Sequence, residues 1–229
     1  MSHAGRLSRA GTGPAGSGAA ERRGALPPVF PGERIGLYGG SFDPPHHGHL
    51  HVAETALKRL GLDRLWWVVT PGNPLKENGA APLAERLAAV RALARDRRMV
   101  ATGFEAGLGL TYSFETVSFL RTKVPGVRFV WIMGADNLAS FHRWRDWRRL
   151  AGLLPMAIVD RPGATRGAFA SPAAHALARF RVPERDAASL AGRAPPAWCF
   201  LHAPLDNSSS TALRAARLKA ARADSPPVP

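Results

Sequence analysis

Apolar positions along the chain fall into two alternating kinds of segment. Short continuous runs at 35–38, 65–69, 99–102, 127–133, 156–159 and 198–201 read as strands. Between them apolar residues recur three and four apart. Val52, Ala53, Ala56, Leu57 and Leu60 place a helix over about 47–60. Leu83, Leu87, Val90 and Leu93 mark a second, with Pro82 suited to its first turn. Further helices are predicted over 114–123 with Ser113 as N-cap, over 147–153, near 172–180, and from Ser208-Ser209-Ser210-Thr211 to about 223. Strands that are apolar throughout are buried on both faces. Alternation of such strands with helices predicts an α/β fold: one domain with a doubly wound, mostly parallel sheet.

Composition sets the boundaries. Residues 1–33 are rich in Gly, Ala, Ser, Arg and Pro without apolar periodicity, and read as a disordered extension; 34–223 form the domain and 224–229 a disordered tail. The start of the chain has no apolar stretch of the kind a secretory signal needs. No run approaches the roughly 20 apolar residues that span a bilayer, so no membrane partner is expected. Cys199 is the single cysteine and sits in an apolar run, which suits a buried residue in a reducing cytoplasm. Lys and Arg number 31 against 17 Asp and Glu, a formal charge of +14 that favours anionic partners without specifying which. The basic residues are spread along the chain instead of forming a dense run, so a nucleic-acid module is the weaker reading.

Ligands of such sheets bind beyond the carboxyl ends of the strands. The unusual residue clusters fall there, at 39–49, 70–76, 134–137, 161–163 and 206–211. Neither G-x-G-x-x-G nor G-x-x-x-x-G-K-[ST] comes after the first strand, which argues against a dehydrogenase and a P-loop kinase. The first strand runs instead into Gly39-Gly40-Ser41-Phe42-Asp43-Pro44-Pro45-His46-His47-Gly48-His49. A strand, a glycine turn and a helix start present free N–H groups and a positive dipole end to an anion. His46 and His49, three apart, share one helix face. Two histidines could ligate a metal, but no third ligand with clear spacing appears, so no protein-held metal is expected. His47 and His51 fall off that face and read as solvated. Ser209-Ser210-Thr211-x-x-Arg214 is a second helix start, with hydroxyls and a guanidinium suited to phosphate oxygens or, equally, to a plain N-cap with a surface arginine.

Together, His46-x-Gly48-His49 and Ser209-Ser210-Thr211-x-x-Arg214 resemble the nucleotidyltransferase superfamily. Gly134-Ala135-Asp136-Asn137-Leu138-x-x-Phe141-x-x-Trp144, with Thr70–Lys76 and Arg161-Pro162, is similar to the bacterial nicotinate-nucleotide adenylyltransferases over about residues 34–222. That resemblance implies transfer of the adenylyl group of ATP, with Mg2+, to nicotinate mononucleotide, giving nicotinate adenine dinucleotide and pyrophosphate. It implies that His46, His49 and Arg214 carry catalysis on the phosphates. Gly39, Gly40, Ser41, Phe42, Gly134, Asp136, Ser209, Ser210 and Thr211 would bind ATP. Lys76, Thr111, Tyr112 and Trp144 would bind the mononucleotide, with Trp144 on the ring and Thr111 and Tyr112 near its carboxylate. Ser41 stands where the family commonly has threonine, and Arg145 where some members carry an aromatic. Transfer to another phosphate acceptor, including nicotinamide mononucleotide, stays open, and the sequence specifies no oligomeric state.

Overall fold

The computed structural model describes residues 25–72 and 81–204. Lys76, Ser209, Ser210, Thr211 and Arg214, the last predicted helix and the tail lie outside the described residues. Seven strands form one sheet: β1 (Arg34–Gly40), β2 (Arg64–Val69), β3 (Met99–Thr102), β4 (Arg128–Gly134), β5 (Met156–Val159), β6 (Arg181–Val182) and β7 (Trp198–Leu201). Their order is β3-β2-β1-β4-β5-β7-β6, and every pairing is parallel.

Because side chains alternate across a strand, the apolar runs feed two cores at once. Tyr38, Leu65, Trp67, Val69, Val130 and Ile132 face α1 (His47–Arg59) and α2 (Leu83–Leu93) in one cluster. Ile35, Leu37, Trp66, Val68, Trp131 and Met133 face the other side. That second layer is built from α3 (Phe104–Leu108), α4 (Ser113–Lys123), α5 (Ala135–Ser140), α6 (Trp147–Ala151), α7 (Thr165–Phe169) and α8 (Pro172–Ala176). Gly36 leaves room within the first of these clusters, where a Cβ would lie 2.4 Å from Ile132 Cδ1 and 2.7 Å from Leu62 Cδ1.

Among the described residues the predicted strands and the long helices α1, α2 and α4 are present, and several boundaries differ. Tyr112, not Ser113, is the N-cap of α4: the Glu115 carboxylate accepts the N–H groups of both Thr111 and Tyr112 at 3.1 Å, which turns the chain one residue earlier. Pro82 is likewise the cap of α2 instead of its first turn. The helix expected near 172–180 is α8 followed by a 3-10 turn, Ala178–Phe180, and α6 stops at Ala151, before Gly152. Helices α3, α5 and α7 and the two-residue strand β6 have no counterpart in the sequence reading, because none is long enough to display a period. Residues 25–33, which composition assigns to the extension, pack on the domain: Leu26 and Val29 touch the second core, and Gly32 N–H donates to Gly126 O at 2.7 Å. Cys199 is buried, as expected.

Candidate active site

The strand order reverses between β1 and β4, so the chain leaves these adjacent strands in opposite directions and opens a crevice at their carboxyl ends. Glycines permit the close approach there. A Cβ on Gly39 would lie 2.9 Å from the Trp131 ring, and one on Gly134 2.4 Å from Asp136 Oδ1 and 2.6 Å from Arg161 Cδ. Arg161, at the end of β5, sits in the space that Gly134 leaves and pairs with Asp136 at 3.7 Å. Tyr38 is within electrostatic reach of this pair, and its burial pushes the phenol pKa up.

The turn from β1 into α1 is held by an aromatic wedge. Phe42 adopts a left-handed φ of 47°, a conformation that costs a non-glycine residue about 1–3 kcal/mol. Its ring, 2% exposed, packs against Trp67 at 5.0 Å, Tyr38 at 5.2 Å and His49 at 5.2 Å, and these contacts hold the strained residue in place. The following Asp43–Pro44 peptide is cis. His46 is the N-cap of α1, and its extended φ and ψ stop the strand-side turn there.

His46 and His49 come together as their spacing predicts, with ring centroids 3.8 Å apart. The His46 N–H donates to His49 Nδ1 at 3.3 Å. That bond assigns the proton of neutral His49 to Nε2 and makes Nε2 its donor nitrogen. His46 is 5% exposed, whereas His47 is exposed. His51 differs from the solvated residue expected, because its Nε2 is buried.

Trp144 lies on the far side of Trp131. It follows a 3-10 turn, Phe141–Arg143, and meets Trp131 edge-on at 6.3 Å and Phe141 at 5.3 Å. Trp131 therefore connects the Gly39 turn with Trp144. Arg145 stacks over the Tyr112 ring at 4.5 Å, bringing Trp144 and the Thr111-Tyr112 pair into one neighbourhood. The N–H groups of Thr111 and Tyr112, expected near a substrate carboxylate, here hold Glu115. These bonds lower the Glu115 pKa, with a smaller contribution from Arg145.

Two buried charged residues escaped the sequence reading. Arg86 in α2 is 2% exposed and its guanidinium meets main-chain carbonyls of the loops after β1 and β2. Glu105 in α3 is 3% exposed and accepts from Thr116 Oγ1 at 2.5 Å. A charged residue on the apolar face of a helix is the one signal that could have pointed to Arg86, three residues after Leu83 and one before Leu87.

Comparison with known proteins agrees with this geometry. The family model described as cytidylyltransferase-like matches residues 37–216. A protein of Methylorubrum extorquens named "Probable nicotinate-nucleotide adenylyltransferase" is 58% identical over 182 residues, covering 79% of this chain and 98% of the relative. One of Rhizobium meliloti with the same name is 55% identical over 184 residues, 80% of this chain and 98% of the relative. Among solved structures, the Plasmodium falciparum nicotinic acid mononucleotide adenylyltransferase complexed with NaAD aligns with a TM-score of 0.62 at 16% identity, over 80% of this chain and 83% of that one, and shares the fold. The chain thus belongs to the cytidylyltransferase-like nucleotidyltransferases, and within them to the nicotinate-nucleotide adenylyltransferase family.

Proposed function

We propose that the protein transfers the adenylyl group of ATP to nicotinate mononucleotide, releasing pyrophosphate. The observation that carries this reading is the meeting of the His46/His49 pair with the glycine-lined ends of β1 and β4 at the switch point of the sheet, in a chain 58% identical to a relative of that name. An oxygen of the mononucleotide phosphate attacks the α-phosphorus, the new O–P bond forms as the bond to the β-phosphate oxygen breaks, and pyrophosphate leaves. The attacking oxygen is already ionised at neutral pH, since the second phosphate pKa is about 6. No general base is required, and the work of the site is alignment and charge stabilisation.

His46 and His49 would donate to the ATP phosphates, His49 through Nε2. Gly39, Gly40, Ser41 and Phe42 would bring the first turn against the nucleotide, with Gly134 and Asp136 beside its ribose. Ser209, Ser210, Thr211 and Arg214 would hold the polyphosphate. Trp144 would stack on the pyridine ring, Thr111 and Tyr112 would face its carboxylate once Glu115 withdraws, and Lys76 would meet the acceptor phosphate. Among the described residues no group of three or more His, Cys, Asp and Glu side chains comes together. Mg2+ would arrive on the triphosphate, since that ion keeps waters and substrate phosphates as its main ligands. Mg2+ so bound would neutralise phosphate charge. Among the described residues no helix is long and apolar enough to cross a membrane; the single cysteine suits a cytoplasmic site of action.

The test is pyrophosphate release from MgATP with nicotinate mononucleotide, nicotinamide mononucleotide or another phosphate monoester. Release with the first, at a kcat/KM well above the others, is expected. Release with a different acceptor alone would overturn the substrate, and none with any acceptor would overturn adenylyl transfer.

A further inference from the structure

Arg86 lies on the face of α2 that packs toward the sheet, beside Leu87 and Val90. Its planar fork makes four hydrogen bonds to main-chain carbonyls. Nε donates to Ala81 O at 2.7 Å, Nη1 to Ser41 O and Thr70 O at 2.8 Å each, and Nη2 to Pro71 O at 3.1 Å. These carbonyls belong to three separate stretches: the turn after β1, the loop after β2, and the entry to α2. Two further bonds run between the same stretches, from Thr70 N–H to Gly40 O at 3.0 Å and from Ala81 N–H to Asp43 Oδ2 at 3.4 Å.

A guanidinium buried to 2% exposure is desolvated at a cost that an apolar residue would avoid. Only arginine has donors diverging in one plane to reach carbonyls on several chain segments, whereas lysine offers a single point. The position is therefore suited to fixing backbone more than to filling the core. The segments it fixes leave the ends of neighbouring parallel strands, where Gly40 is in register with Val69. Under the function proposed above, on which this inference rests, the first of these loops meets the ATP phosphates and the second leads to Lys76 and the acceptor phosphate.

We propose that Arg86 is a positioning residue that locks the β1 loop to the β2 loop, so that acceptor phosphate and ATP phosphates are held in line. It touches neither substrate and acts through the carbonyls of Ser41, Thr70 and Pro71.

Two measurements test this. The first is native-state hydrogen exchange of the wild-type chain, which needs no activity. The lock requires residues 41–43 and 70–72 to open as one cooperative unit, with a common opening free energy and a common response to added MgATP. Independent opening of the two segments would overturn it. The second is Arg86→Lys, checked for native circular dichroism. Misalignment by about 1 Å costs about a hundredfold in rate, so kcat should fall ten- to a hundredfold while KM for ATP changes less than about threefold. A folded Arg86→Lys enzyme with wild-type kcat would also overturn the proposal. If the wild-type chain releases no pyrophosphate, the functional reading fails on its own, and the exchange result alone decides whether the lock exists.

Discussion

Glu105 gives a pH-dependent prediction that can be worked from the structure. Its carboxyl is 3% exposed, with the Thr116 hydroxyl on Oε1 and Oε2 buried. Burial raises its pKa from 4.5 to about 7, with the Thr116 bond pulling the other way. In the unfolded chain the group titrates normally. Between pH 4.5 and 7 the folded state therefore holds a proton that the unfolded state has lost, and stability declines as pH rises. The contribution is complete below the unfolded pKa and gone above the folded one. The shift from 4.5 to about 7 corresponds to about 3 kcal/mol in total. Glu105→Gln mimics the neutral carboxyl and does not titrate. The difference in unfolding free energy between wild type and Glu105→Gln should move by about 2–3 kcal/mol between pH 5 and pH 8, with the variant gaining on the wild type. In melting temperature that is about 5–10 °C for a domain of this size. Urea denaturation of both proteins at half-unit pH steps measures it. Any fixed effect of the amide on packing cancels in the pH dependence. A difference that stays constant within about 0.5 kcal/mol from pH 5 to pH 8 would refute the reasoning.

Three further outcomes are expected. His46→Ala should keep the fold and lose at least about tenfold in kcat, a preorganised donor of this kind contributing about 3 kcal/mol; a purified variant with normal kcat removes His46 from catalysis. Trp144→Ala should raise KM for the mononucleotide up to about tenfold with little change in kcat, the range expected for lost aromatic stacking; an unchanged KM removes Trp144 from the ring site. Gly36→Ala drives a methyl to within 2.4 Å of Ile132 Cδ1 and 2.7 Å of Leu62 Cδ1. Both neighbours are side-chain ends that can shift, so the cost should sit near the low end of overpacking, about 1 kcal/mol, and a thermal melt indistinguishable from wild type would contradict the contact.

The fold was legible because its central strands are apolar on both faces. The run Leu65-Trp66-Trp67-Val68-Val69 is buried to 0% exposure throughout, as a sheet covered on both faces requires. Helix α1 was legible for the opposite reason: its apolar residues repeat on one side only, and Val52, Ala53, Ala56 and Leu57 are the ones buried. The short elements were not legible. Helix α5 has six residues and begins at the residue after β4 ends. Its cap is Gly134, against which Arg161 from beyond the end of β5 packs, a contact between residues far apart in the chain. The cap of α4 was missed by one position because Glu115 reaches back to two N–H groups, and its side chain, not local propensity, fixes the turn.

At the site, the residues legible in sequence are those proposed to meet phosphate, and what stays hidden is the support beneath them. His46 and His49 announce themselves by spacing, and their rings do meet. Arg86 gives only the faint signal of a charge on the apolar face of its helix, and its role is hidden until its carbonyl partners are known. Those partners lie at positions 41, 70, 71 and 81, in loops that no periodicity links. Phe42 hides in a similar way: in sequence it is one apolar residue in a polar turn, and only its φ of 47° and its three ring contacts reveal a strained residue clamped by Tyr38, Trp67 and His49. Both devices act on the same turn, Phe42 through its ring on the α1 side and Arg86 through the Ser41 carbonyl on the β2 side. A site that supplies no general base depends on alignment for its rate. Under the function proposed above, the buried wedge would bear on kcat through the His49 ring it meets, and the buried guanidinium through the Ser41 carbonyl of the same turn.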